Sequence, residues 1–196
     1  MNNHANISPS QPAHVEEEIL RLGNAFFPVR ALPDYCCKGK IVLPHWHSFL
    51  EILFIKTGIM DLNVNGRSYM LHSGDIMLIN QYDVHGISDN PCTFEFLQVE
   101  AGFLTTFGIQ LSACFPQSGE FCHLLANSQE ASLLYPLLVR ICSHAGQSDT
   151  SVRLMQLSDL LALFSYISVY TDCCSQKHHI RTVSAPSNLK TLDQAM

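Results

Sequence analysis

The chain has 196 residues, is 47% hydrophobic and only 14% charged, and carries a formal net charge of −6. Its length suits one ordinary domain, or one domain with a helical appendage. The acidic balance argues against direct DNA binding by these residues, because a protein that grips nucleic acid needs a basic face.

No long uncharged apolar run reads as a membrane span. The polar stretch from Met1 to His14 lacks the apolar core of an export signal. The protein is therefore expected in the cytoplasm, without membrane contact, and its eight cysteines are expected as reduced thiols. The low charge content points to a covered apolar surface, such as an interface.

In chain order, residues 1–14 read as a disordered tail, rich in Asn, Ser, Pro and Gln. Val15 to Leu22 reads as a short helix. Phe26 to Val29 and Ala31 to Pro33 read as extended segments, since proline holds its predecessor in extended geometry. Strand signals then follow closely. Leu50 to Ile55 reads as a buried strand, and Met60, Leu62 and Val64 alternate with Asp61 and Asn63 as a half-buried one. Asn65-Gly66 is a strong hairpin signal, with a type I′ turn returning through Arg67 to Leu71. Ile76 to Ile79 and Thr93 to Glu100 read as further strands. Short strands at this spacing predict a small sandwich or barrel.

After Ala101 the pattern changes. Ser128 precedes a helical run through Leu133, Leu134, Leu137, Leu138, Ile141 and Cys142, with Pro136 set to kink or delay it. A second helix is predicted over about 151–170, with Leu154, Leu157, Leu161 and Phe164 as one stripe and Leu160, Leu163 and Ile167 widening it. So broad an apolar face packs either on its own barrel or in a two-fold dimer contact. Lys177 to Asn188 reads as a linker. Leu189 to Met196 begins an amphipathic pattern.

The stretch that organises these elements runs from Gly39 to Gly58. His45, His47 and Glu51 share strand parity, so they can point to one side of an otherwise apolar run. Burying such polar groups is costly unless a metal ion, a ligand or a hydrogen-bond network satisfies them. Trp46 has the opposite parity and is expected on the outside of the barrel. A second stretch, Gly74 to Val84 followed by His85, has a turn, an apolar strand and a polar loop. His72, His123 and His144 have no partners at ligand spacing and read as plain histidines.

Together these stretches resemble the two cupin motifs. Gly39, His45, His47, Glu51 and Gly58 match every fixed position of the first motif, and Gly74 and His85 match the second. Asn80, Tyr82 and Asp89 stand where the second motif has Pro, Gly and Asn. The resemblance implies a mainly β fold: a cupin-like double-stranded β-helix, or jelly-roll, barrel followed by two C-terminal α-helices. It implies His85 opposite His45, His47 and Glu51, and these four as a metal site. Zinc, nickel or iron is the implied divalent transition metal. The same four residues, with Tyr82 either capping the site or packing beside it, are the expected ligand-binding set.

The wider arrangement is similar to the N-terminal part of AraC-type transcription regulators. The strings that carry this likeness are His45-Trp46-His47 with Glu51-Ile52-Leu53, Asn65 to Tyr69, Gly74 to Asn80, and Val84-His85. It implies a sensor barrel over residues 15–110, a helical dimerisation region over 111–175, and a linker over 176–196 leading to a DNA-binding domain missing from this sequence. The expected partners are a small-molecule effector, a second copy of the chain through the C-terminal helices, and DNA only through that missing domain. Regulation, not catalysis, is the first reading. The alternative is a metal-dependent cupin enzyme, a dioxygenase or isomerase, because three imidazoles and a carboxylate can hold a metal with open positions. The helical appendage, which an enzyme barrel does not need, argues against it.

Overall fold

The computed structural model of the protein describes residues 16–17, 27, 29–36, 41–88, 91–110 and 122–183, with side chains from residue 27 to residue 171. Expectations for residues 1–14, 111–121 and 184–196 lie outside the described residues. Among the described residues, nine strands precede or flank the helices: β1 (Glu16–Glu17), β2 (Val29–Cys36), β3 (Val42–Trp46), β4 (Phe49–Val64), β5 (Arg67–His72), β6 (Ile76–Ile79), β7 (His85–Ile87), β8 (Cys92–Glu100) and β9 (His123–Leu124). The described helices are α1 (Gly102–Thr105), α2 (Gln129–Ser143) and α3 (Thr150–Val183).

The architecture turns on β4. Two strands were expected over 50–64, but a single strand covers both and serves two sheets. Its first half pairs with β6 (Glu51 opposite Ile79) and β8 (Glu51 opposite Gln98). Its second half pairs with β5 and β7, placing Val64 opposite His85. Strand β2 extends the first sheet through β8, and β9 extends it through β6. Strand β3 extends the second sheet through β7. Gly58 sits between the two halves at φ +83°, where an added Cβ would lie 2.2 Å from the Pro91 carbonyl oxygen. A residue with no side chain is needed there. The predicted hairpin turn is present, with Asn65 at φ 49° and Gly66 at φ 79°.

The two halves of β4 also differ in burial. Phe49 to Ile55 is buried without interruption, whereas Met60 to Val64 alternates. One face of the first half looks into the barrel, and the other lies under the helices, where Phe54 packs against Tyr135 of α2 with ring centroids 4.6 Å apart. A strand covered on both faces reads as a continuous apolar run. Leu50, Ile52, Leu53, Ile55, Met77 and Leu97 are among the fully buried core residues, joined to Leu134, Leu138, Leu160, Leu163 and Ile167 of the helices. Each such side chain contributes roughly 1.5–3 kcal/mol.

Several expectations are corrected. Glu16–Glu17 is not helical; it forms β1, parallel to β3 with Glu16 opposite His45. Pairing to an exposed strand edge overrides a weak local helix preference. The second helix does not stop near Tyr170 or give way to a linker at 176; α3 continues to Val183. The stretch from Ser175 to Val183 is polar but contains no Pro or Gly, and polarity alone does not end a helix. Helix α2 begins as expected, with the Ser128 hydroxyl accepting a hydrogen bond from Ala131 N at 3.1 Å, and it carries Pro136 in its interior. By length and composition, Thr150–Thr171 would pass as a membrane span, contrary to the expectation of none. Its Leu160, Leu163, Phe164 and Ile167 side is buried in the core. Cys36, Cys92, Cys122 and Cys142 are free thiols.

Candidate ligand and metal site in the barrel

The site is built where the two sheets meet. His45 lies on β3 directly opposite His85 on β7. Strand β3 ends at Trp46, and the chain bends at His47 and Ser48 before β4 begins. His47 and Glu51 therefore do not share one strand with His45, as parity had assumed. They converge because the bend brings β4 back across the barrel. Tyr82 N donates to His47 O at 2.7 Å and ties the loop before His85 to this bend.

Three imidazoles come together. His45 and His85 have ring centroids 4.2 Å apart, and His47 and His85 4.8 Å. One potential ligand atom from each lies within 4.8 Å of the others. Their outer nitrogens are all oriented in the same way. Nδ1 of His45 faces Leu43 O at 3.0 Å, Nδ1 of His47 faces Phe49 O at 3.0 Å, and Nδ1 of His85 faces Asp83 O at 2.9 Å. A carbonyl only accepts, so each Nδ1 carries the hydrogen, and in a neutral ring Nε2 is then the atom that presents a lone pair. Backbone carbonyls of this kind orient metal-binding histidines. Nε2 of His47 and of His85 is buried without a hydrogen-bond partner. Phe49 stacks on the His47 ring at 3.7 Å and 12°, fixing its plane.

Glu51 is beside this group, not one of the mutually close three. Its Oε2 lies 3.2 Å from His47 Nε2, outside hydrogen-bond geometry. Burial pushes its carboxyl up, but the neighbouring His47 and His85 rings and the Gln98 amide together hold it below its ordinary value. Burial likewise pushes His85 down, more than Glu51 and the Asp83 carbonyl raise it, so it is a neutral imidazole at neutral pH. The donor set is therefore three imidazole nitrogens next to one carboxylate. It fits a divalent transition metal, or the polar edge of an organic ligand.

Two contributing residues are not visible in the motif. Gln98 Nε2 donates to Glu51 Oε2 at 2.7 Å, and Arg30 Nη1 donates to Gln98 Oε1 at 3.2 Å. Arg30, Gln98 and Glu51 sit on β2, β8 and β4, paired across the sheet. Their only sequence signal is a polar residue at an inward position of an apolar strand. The loop that departs from the cupin pattern is held by other means. Asn65 Nδ2 donates to Asp83 Oδ1 at 2.7 Å, Val84 N donates to Asn65 Oδ1 at 2.9 Å, and Asn80 N donates to Asp83 Oδ2 at 3.1 Å. Tyr82, standing where the motif has glycine, takes φ +66°. Its side chain is 60% exposed and its ring lies 5.9 Å from that of Trp46. Tyr82 joins the site through its backbone, while its ring and the half-buried Trp46 lie together at the periphery.

A second histidine is satisfied structurally. Asp75, buried at the β5–β6 turn, accepts from His123 Nε2 at 2.9 Å, His72 N at 2.9 Å and Ala126 N at 2.8 Å. Burial raises its carboxyl, but these three donors hold it below its ordinary value.

A barrel of two sheets sharing β4, with its polar groups inside, is a cupin-like fold carrying a ligand-type site. Residues 37–164 match the AraC-like ligand-binding domain family, and the chain belongs to that family. No curated protein matches the chain. Solved structures with a related arrangement include KdgF from Halomonas sp., with 18% identity over 32% of this chain and 60% of that one (TM-score 0.28). An RmlC-like cupin family protein with a double-stranded β-helix fold from Methanocaldococcus jannaschii has 16% identity over 41% of this chain and 72% of that one (TM-score 0.31). A mutant of Bacillus subtilis oxalate decarboxylase has 22% identity over 34% of this chain and 19% of that one (TM-score 0.29). The chain thus spans 60% or less of the KdgF and decarboxylase structures, and none of these likenesses carries function.

Proposed function

We propose that the chain is the effector-sensing and dimerisation part of a cytoplasmic transcription regulator, binding a small molecule, a divalent metal, or both, inside its barrel. The observation that carries this reading is the set of three carbonyl-oriented imidazoles, with two orphaned Nε2 atoms, beside a charged Glu51 in a domain of a ligand-binding family. Buried polar groups without partners are costly, and a ligand that satisfies them recovers that cost on binding. Where a metal is held, His45, His47 and His85 are its ligands. Glu51 then offsets its charge, and Gln98 and Arg30 hold Glu51 in place. The metal supplies a Lewis-acidic centre for an oxygen-rich effector.

The helices supply the second half of the reading. Helix α3 buries Leu160, Leu163, Phe164 and Ile167 and turns Leu154, Met155, Tyr166 and Val169 outward, exposed. This outward face supports a homodimer, and DNA would be contacted through a further domain after the helices. An effector would act by favouring one of two arrangements of barrel and helices. Enzymatic turnover is the second reading, favoured only by the same three-histidine group, which also suits a metal-dependent dioxygenase or isomerase. The test is elemental analysis and mass spectrometry of the purified protein, followed by a turnover screen on small oxygenase and isomerase substrates. Bound metal or small molecule without turnover supports sensing; robust turnover would replace it with the enzyme reading.

A further inference from the structure

Away from the barrel site, a cavity of about 140 Å³ lies where strand β2 meets the turn between α2 and α3. Its apolar wall is Phe27, Val29 and Ala31 from the barrel side. Its polar wall is Gln147, Ser148, Arg153 and Gln156 from the helical side. A cavity of roughly 150 Å³ accommodates a molecule the size of benzene, about six non-hydrogen atoms. Arg153 is the one charged side chain among the described lining residues. Its guanidinium sits 5.9 Å from the centre of the Phe27 ring, and no carboxylate among the described residues pairs with it. Gln156 is 5% exposed, and its Nε2 donates to Ile141 O and His144 O, both at 3.2 Å.

We propose that this cavity binds a short-chain monocarboxylate, with the carboxylate on Arg153 and Ser148 and the alkyl tail against Phe27, Val29 and Ala31. The charge follows from the lining, because a guanidinium with no acidic partner among the described residues selects an anion and matches a carboxylate in bidentate geometry. The size follows from the volume, and the tail from the apolar wall. Phosphate or sulfate would satisfy the cation but leave the apolar wall unmatched. The ligand would touch both β2, which carries Arg30 of the barrel relay, and the α2–α3 turn. It therefore occupies the joint between barrel and helices, and this site is independent of the one among the histidines.

The test uses the 196-residue protein and sodium butyrate, with butanamide as the uncharged isostere at matched ionic strength. Calorimetric titration is combined with backbone amide NMR shifts. Butyrate is expected to bind saturably, to move the amide signals of Ala31, Gly146 and Ser148, and to bind at least tenfold more tightly than butanamide. Arg153→Gln is expected to weaken butyrate binding tenfold or more, as loss of a charge-assisted hydrogen bond requires. Arg153→Lys should restore part of it, and His47→Ala should leave it unchanged. No saturable binding, equal binding of butanamide, or unchanged affinity in Arg153→Gln would overturn the proposal. So would binding abolished by His47→Ala with shifts confined to the barrel histidines.

Discussion

Replacing His47 with alanine separates metal binding from ordinary packing, provided the metal-dependent increment in stability is read instead of stability itself. The side chain stacks on Phe49 at 3.7 Å and contacts Phe49 O at 3.0 Å, so its removal weakens the apo protein as well. A metal that binds only the folded chain stabilises it by RT ln(1 + [M]/Kd), about 2.7 kcal/mol at a hundredfold excess over Kd. For a chain of this length about 1 kcal/mol moves Tm by roughly 2–4 °C, so the wild-type increment is about 5–10 °C. Loss of one of three imidazoles that raises Kd about a hundredfold leaves RT ln 2, roughly 0.4 kcal/mol, or about 1 °C at the same metal concentration. The assay is a thermal melt of chelator-stripped protein with and without zinc, nickel or ferrous ion, alongside metal content by mass spectrometry. His72→Ala is the control, because that side chain is 59% exposed and lies outside the barrel site. A wild-type protein that gains neither metal nor Tm, or a His47→Ala protein that keeps the whole increment, refutes the metal assignment.

Three further outcomes are expected. Leu161, half-buried beside exposed Leu154 on the outward side of α3, should give a folded monomer by ultracentrifugation when changed to Glu, since an unpaired charge in an interface costs about 3–5 kcal/mol. An unfolded variant would place Leu161 in the core, and an intact dimer would exclude this interface. Gly58→Ala should lower stability by at least about 2 kcal/mol, combining left-handed strain with the 2.2 Å approach to Pro91 O, and a Tm equal to wild type would contradict it. Asp75 has its folded pKa held below the ordinary 3.8, so its contribution is fully present above that value and is lost as pH falls further. Asp75→Asn should therefore cost about 1.5–3 kcal/mol in urea unfolding at pH 7, with the gap to wild type closing below pH 3.8; a gap independent of pH would refute the charge argument.

Much of the barrel was determined by sequence alone. Alternation in Met60 to Val64, the Asn65-Gly66 turn and the apolar runs at Leu50 and Ile76 are local signals, and the strands formed where those signals lie. The Ser128 cap and the Leu134–Leu138–Ile141 repeat likewise located α2. The four polar residues of the first and second motifs were legible because ligand-type side chains stand out within apolar strands. Tertiary structure decided the rest. The sequence does not show that one strand crosses both sheets, since that depends on Gly58 passing close to Pro91, far along the chain. Pairing with β3 drew Glu16–Glu17 into a strand, and an absence of breakers let α3 run to Val183. Gln98 and Arg30 entered the site only through cross-strand register, and Tyr82 turned its ring outward because its backbone took a conformation that serves the loop. Periodicity within a segment is a property of neighbouring residues, whereas which polar groups meet in the barrel depends on pairings between residues far apart in the chain.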